Sequence, residues 1–210
     1  MKQVYLIRHG CTEANEHWLY CGSTDLPLSD AGRAGLKQLR ETMEYPETDG
    51  LQFYTTGLAR TEETLKLIWG DVPHTAVPGL REMAFGSFEM RSYQQLQNTQ
   101  EYRDWISGDN EKNRCPNGES GADMTERVLE AFHKLRCSSG DFLIVAHGGP
   151  IAAIMANLFP QEIRSRYQWQ PRNGMGYRIV FNGGQPVAWE EVPYSRTNLR
   201  ALSEAEKGGA

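Results

Sequence analysis

Two histidines of this chain stand where apolar runs end. Arg8-His9-Gly10 follows Val4-Tyr5-Leu6-Ile7, and His147-Gly148 follows Phe142-Leu143-Ile144-Val145-Ala146. An apolar run bounded by glycine reads as a buried strand. In open α/β sheets, ligands bind at the carboxyl ends of the strands. Arg8 adds a planar fork that suits phosphate oxygens. One histidine, its neighbouring arginine and a distant second histidine therefore point to phosphoryl chemistry. Arg60 falls early on a helix after Thr55-Thr56-Gly57, whose hydroxyls and N–H groups sit at a helix N-terminus, where anions bind well. Glu82 follows a third strand. Each residue alone has an ordinary explanation: a local cap for His9, a solvated helix side chain for Arg60, a surface carboxylate for Glu82, a core position for His147. All four falling after strand ends in one alternating chain is a less economical accident.

The elements that must position these residues alternate. A strand over about 3–8 leads into a loop carrying Arg8 to Asn15. Ser29 reads as the N-cap of a helix running to about Met43, with Ala34, Leu36, Leu39 and Met43 at apolar spacing. A strand over 51–54, a helix over 58–69 and a short strand over 74–77 follow. A helix over 125–135, a buried strand over 142–146 and a helix over 150–158 come next. Two strands, about 176–181 and 187–192, finish the sheet. This order predicts an α/β fold, a three-layer αβα sandwich around a largely parallel sheet. Between Ala84 and Gly121 the pattern weakens into short helices near 92–106, read as a small helical lid insertion above the sheet. The small, charged tail from Ser203 reads as a frayed end.

At 210 residues the chain reads as one domain, 1–210, with the lid insertion at about 84–121 inside it. A formal net charge of −5 argues against nucleic acid or an acidic membrane as partner. Met1-Lys2-Gln3 runs straight into the first strand without signal-peptide features, and no apolar run is bilayer-length. The expected location is cytoplasmic, as monomer or homodimer. Cys11, Cys21, Cys115 and Cys137 form no C-x-x-C pair, so free thiols are expected. Cys11 lies two residues from His9, where a positive pocket would lower its pKa; an inert small side chain is the plainer alternative.

Read in order, the motifs resemble those of the histidine phosphatase superfamily, also called phosphoglycerate mutase-like. Arg8-His9-Gly10-Cys11-Thr12 with Asn15 is similar to its Arg-His-Gly-x-Thr motif. Gly22 to Ser29 resembles the loop before its first helix, and Thr55 to Thr64 its Ser-Pro-Leu-x-Arg segment. Leu80-Arg81-Glu82 to Glu89 resembles its acidic motif. Gly118-Glu119-Ser120 and Val145 to Gly149 complete the order, so the likeness spans about residues 3 to 155. Cys11 stands where Glu or Gln is commoner, Thr56-Gly57 replaces Ser-Pro, Phe88 replaces a frequent Trp, and Met90 replaces a frequent Gly.

The resemblance implies a metal-independent phosphomonoester hydrolase with no cofactor, acting on a small phosphorylated metabolite. His9 would take the phosphoryl group. Arg8, Arg60 and His147 would surround its oxygens, with Asn15 and Gly148 assisting in phosphate binding. Glu82 would protonate the leaving oxygen and then activate water, with Glu13 and Glu89 next in line for that role. Phosphoryl transfer is mainly positioning and charge stabilisation, and the arginines supply charge a metal would otherwise bring. From Ala84 to Ser120 the basic residues are Arg91, Arg103, Lys112 and Arg114; the acidic ones are Glu89, Glu101, Asp104, Asp109, Glu111 and Glu119. Such a segment is no clamp for a second phosphate, and the chain looks more like the small phosphatases, α-ribazole phosphatase-like members included. A mutase-type phosphoryl transfer and a catalytically silent phospholigand-binding protein are the alternatives.

Overall fold

The computed structural model describes residues 1–109 and 111–195. The Ser203–Ala210 tail lies outside them. In chain order the elements are β1 (Lys2–Arg8), α1 (Glu13–Glu16), α2 (Asp30–Thr42), β2 (Met43–Glu44), β3 (Leu51–Thr55), α3 (Ala59–Trp69) and β4 (His74–Ala76). Then come α4 (Tyr93–Leu96), α5 (Gln100–Ile106), α6 (Gly121–Arg136), β5 (Asp141–Ala146), α7 (Gly148–Leu158), β6 (Gly176–Asn182), β7 (Gln185–Val192) and β8 (Tyr194–Ser195).

The main sheet runs β4-β3-β5-β1-β6-β7. β4, β3, β5 and β1 are mutually parallel, and β6 and β7 extend the β1 edge antiparallel. Successive strand residues face opposite sides of a sheet. Val4, Leu6, Phe142, Ile144 and Ala146 accordingly pack with α6 and α7 residues such as Val128, Phe132, Ile151 and Met155. Ile7, Leu143 and Val145 pack on the other face with Phe53 and with Leu65 of α3. Burial on both faces is why β1 and β5 read as unbroken apolar runs. α2 packs against α3 through Leu36 and Ile68, with Leu28 of the preceding loop in the same cluster.

The largely parallel three-layer architecture is as the sequence predicts, with differences in detail. α6 starts at Gly121 rather than Thr125, because Ser120 and Asp123 form a capping box there. α7 starts at Gly148, with His147 as its N-cap residue. Met43 leaves the helix and becomes extended, since it pairs with Ser195 in a two-stranded ladder. The loop after His9 contains a single turn, α1, capped by Thr12 and Asn15.

Candidate active site

Register alone brings the two histidines together. Arg8 of β1 pairs with Ala146 of β5, so His9 and His147 are the next residue on each strand. The His9 N–H donates to the Ala146 carbonyl at 3.0 Å, and the two rings meet edge-on with centroids 5.1 Å apart.

His9 is 5% exposed, and its Nδ1 lies 2.6 Å from the Gly10 carbonyl. A carbonyl only accepts, so Nδ1 carries the proton and Nε2 is left with a free lone pair. Burial, then the charges of Arg60 and Arg8, hold the His9 pKa well below the usual 6.5. A neutral, oriented imidazole is what a nitrogen nucleophile requires.

His147 is fully buried, and both its ring nitrogens are engaged. Arg60 Nε donates to His147 Nδ1 at 3.3 Å, which puts the proton on Nε2. Nε2–H then donates to Thr56 Oγ1 at 2.9 Å; Thr56 donates to Thr61 Oγ1, and Thr61 to the Leu58 carbonyl. Arg60 is itself 1% exposed and donates to the Thr24 and Gly22 carbonyls at 2.8 and 2.7 Å. Burial first, with the charges of His9, Arg60 and Arg8, keeps His147 well below the usual histidine pKa.

Two imidazoles that stay neutral when folded accept protons near pH 6.5 when unfolded. The unfolded chain then binds more protons, so stability falls as pH drops from 6.5 toward the folded pKa values. His9→Gln removes one such group. From pH 6.5 to about 5, the wild type should lose stability more steeply than His9→Gln, by up to about 1.4 kcal/mol per pH unit. Urea titrations across that range measure it, and parallel profiles would contradict the buried neutral His9.

The cavity over His9 has a volume of about 390 Å³ and is also lined by Arg8, Asn15, Glu82 and Gly149. Arg60, His147 and Gly148 are not among its lining residues. Arg8 donates to the Pro171 carbonyl at 2.9 Å, while its Nε is buried without a partner. A buried donor without an acceptor is costly, and an anion in the cavity would satisfy it. Gly148 lies under the Arg8 guanidinium, where a Cβ would stand 3.3 Å from Cζ. Asn15 spends its Oδ1 on Thr12 and Asn173, leaving its amide N–H groups for a ligand.

Glu82 accepts the Met83 N–H at 3.0 Å and the Gly149 N–H at 2.9 Å. It therefore sits at the N-terminus of α7, favourable for a carboxylate. Gly149 must lack a side chain, because a Cβ would come within 2.2 Å of Glu82 Oε1. Glu89 has a different task. It accepts from the backbone of Gly22, Ser23, Thr24 and Phe85 and from the Thr24 hydroxyl, and these bonds outweigh burial and lower its pKa. That clamp holds the loop whose carbonyls receive Arg60. Glu13 is exposed on α1, outside the cavity lining. The reactive-thiol option for Cys11 is corrected: burial, then Glu16, raises its pKa against the pull of Arg8.

Sequence reasoning missed the roles of Thr56, which orients His147, and of Arg127. The latter reaches the Glu82, Arg81 and Gly79 carbonyls and pairs with Glu119, fixing the acidic segment. It also missed the aromatic wall, to which Tyr102 and Trp105 of the insertion belong. Tyr20 meets Phe85 at 5.1 Å and Trp105 at 5.6 Å between ring centroids, and its hydroxyl lies 2.6 Å from that of Tyr102. Among the described residues, no group of three or more His, Cys, Asp or Glu is placed to hold a metal, and no helix is long and apolar enough to cross a membrane.

The sequence model of the histidine phosphatase superfamily (branch 1) matches residues 4–191. The adenosylcobalamin/alpha-ribazole phosphatase of Salmonella typhimurium is 31% identical over 177 residues, covering 82% of this chain and 87% of the relative. A protein of Enterobacter sp. named "Probable phosphoglycerate mutase GpmB" is 30% identical over 187 residues, 86% of each chain. The crystal structure of the alpha-ribazole phosphatase from Shigella flexneri superposes with a TM-score of 0.74 at 26% identity, covering 88% of this chain and 93% of that one.

Proposed function

The chain belongs to the histidine phosphatase superfamily, branch 1, and from that premise we propose that it hydrolyses phosphate monoesters through a phosphohistidine on His9. Family and relatives together identify a phosphatase acting on a small phosphorylated metabolite, with mutase-named proteins among its relatives.

The observation that carries the mechanism is the pinned His9 ring, with Nε2 unbonded in a cavity that also holds an unpaired Arg8 Nε. Nε2 attacks phosphorus as the ester P–O bond breaks. Glu82 gives its proton to the leaving oxygen. Water then loses a proton to Glu82 and attacks the phosphohistidine, releasing inorganic phosphate and restoring His9. Arg8, Asn15 and Arg60 contribute donors and positive charge. Arg60 retains N–H groups beyond the three already bonded. His147, held by Arg60 and Thr56, and Gly148, against the Arg8 guanidinium, support this shell. The aromatic wall suits a leaving group with a flat apolar face. Four free cysteines support the cytoplasmic reading.

Incubation with a panel of phosphate esters should release inorganic phosphate. Accumulation of an isomeric phosphate ester would instead assign a mutase, and binding without turnover a silent receptor. Activity should survive EDTA followed by dialysis. Loss restored specifically by magnesium or zinc would contradict the metal-free mechanism.

A further inference from the structure

The Arg166 guanidinium and the Glu111 carboxylate form an ion pair, and both residues line the cavity that holds His9. Arg166 opens a 3-10 turn, Arg166–Trp169, anchored by the buried Trp169. Glu111 lies between α5 and α6, and its carbonyl accepts the Ala122 N–H at 2.8 Å. Its carboxylate lies against Gly121, where a Cβ would stand 2.2 Å from Oε2. Both partners are thus held by their surroundings.

Hydrolysis at His9 requires nothing of this pair. With side chains 23% and 49% exposed, the pair adds little stability. What it changes is the charge of the cavity. Among the described residues, Arg8 and Arg166 are the arginines on the wall, and no lysine joins them. Arg8 serves the phosphate, and Arg166 has its charge met by Glu111, the one carboxylate at ion-pair distance among the described residues. Around the pair the wall also carries Tyr20, Tyr102, Trp105, Ile106, Tyr167 and Gln170, none of which brings a cation.

Resting on the hydrolase reading, we propose that Glu111 is a specificity-determining residue. Its carboxylate occupies Arg166 in place of a second anionic group on the substrate. A substrate whose leaving group bears a carboxylate or second phosphate meets Glu111's charge and finds no free cation. An ester with an uncharged leaving group meets neither obstacle. Selectivity built on a repulsive element of this kind rejects one ligand class without tightening the other.

The test compares phosphate esters of ω-hydroxy acids of increasing length, each paired with the diol monophosphate of equal length. The readout is the ratio of kcat/KM, acid over diol. In the wild type this ratio should be well below one at every length. Glu111→Ala should raise it about tenfold at the length that reaches Arg166, and the isosteric Glu111→Gln should raise it in the same direction. Adding Arg166→Gln to Glu111→Ala should remove the gain. A ratio unchanged in both Glu111 variants at every length, or a gain that persists without Arg166, would overturn the proposal. A folded wild type that hydrolyses no ester at all would instead contradict the hydrolase reading itself.

Discussion

His9→Ala should lower turnover of every phosphate ester by at least ~10⁴-fold, the scale seen when an enzyme loses its nucleophile. The residues around it are not built to substitute. His147 cannot turn to attack, since Arg60 and Thr56 hold both its nitrogens. Glu82 is tied to two backbone N–H groups. The fold should survive, because the core on either side of β1 rests on Val4, Leu6 and Ile7 rather than on His9. Arg8 remains in place, so phosphate should still bind and protect the variant against thermal unfolding. Near wild-type turnover by a pure His9→Ala protein would end this mechanism.

Glu82→Gln should separate substrates by leaving group. An alkoxide needs a proton as it departs, whereas p-nitrophenolate leaves with little help. An amide cannot deliver that proton, and general acid catalysis commonly contributes about 10²–10⁴-fold. Alkyl phosphates should slow by that order, and p-nitrophenyl phosphate by about tenfold at most, when transfer to His9 limits the rate. When water attack limits, both slow together and phosphoenzyme accumulates. The side-chain amide also has only one oxygen for the two N–H groups of Met83 and Gly149. Its position is therefore less firmly held than that of the carboxylate. Alkyl ester rates equal to wild type would assign the acid to another group.

The parts of this site legible in the sequence are those written by burial and by strand ends. β1 and β5 are covered on both faces, so they stand out as apolar runs. The residue after each run falls at the edge of the sheet, which is why His9 and His147 could be found. Ser29 was legible as a cap because capping is local. The Ser120–Asp123 box is just as local, but the weak apolar pattern of 121–124 drew the start of α6 downstream. Met43 belongs to a strand only because Ser195 lies beside it, a pairing no local pattern carries. Likewise, Glu89 and the loop it clamps are more than sixty residues apart, and Tyr20 and Tyr102 more than eighty. A carboxylate in an acidic motif reads equally as acid or as clamp until the N–H groups around it are known. Position in the chain likewise gave Arg60 and His147 a place near phosphate. The bonds to Gly22, Thr24 and Thr56 that hold them beside His9 join segments far apart in the chain.

Rapid acid-free quenching of the wild type during turnover of a ³²P-labelled ester, followed by peptide mapping, tests the central claim most directly. The account predicts an acid-labile, base-stable phosphoryl group, at most one per chain, on His9 Nε2, formed and lost at rates that accommodate turnover. Label on a residue other than His9 would contradict it.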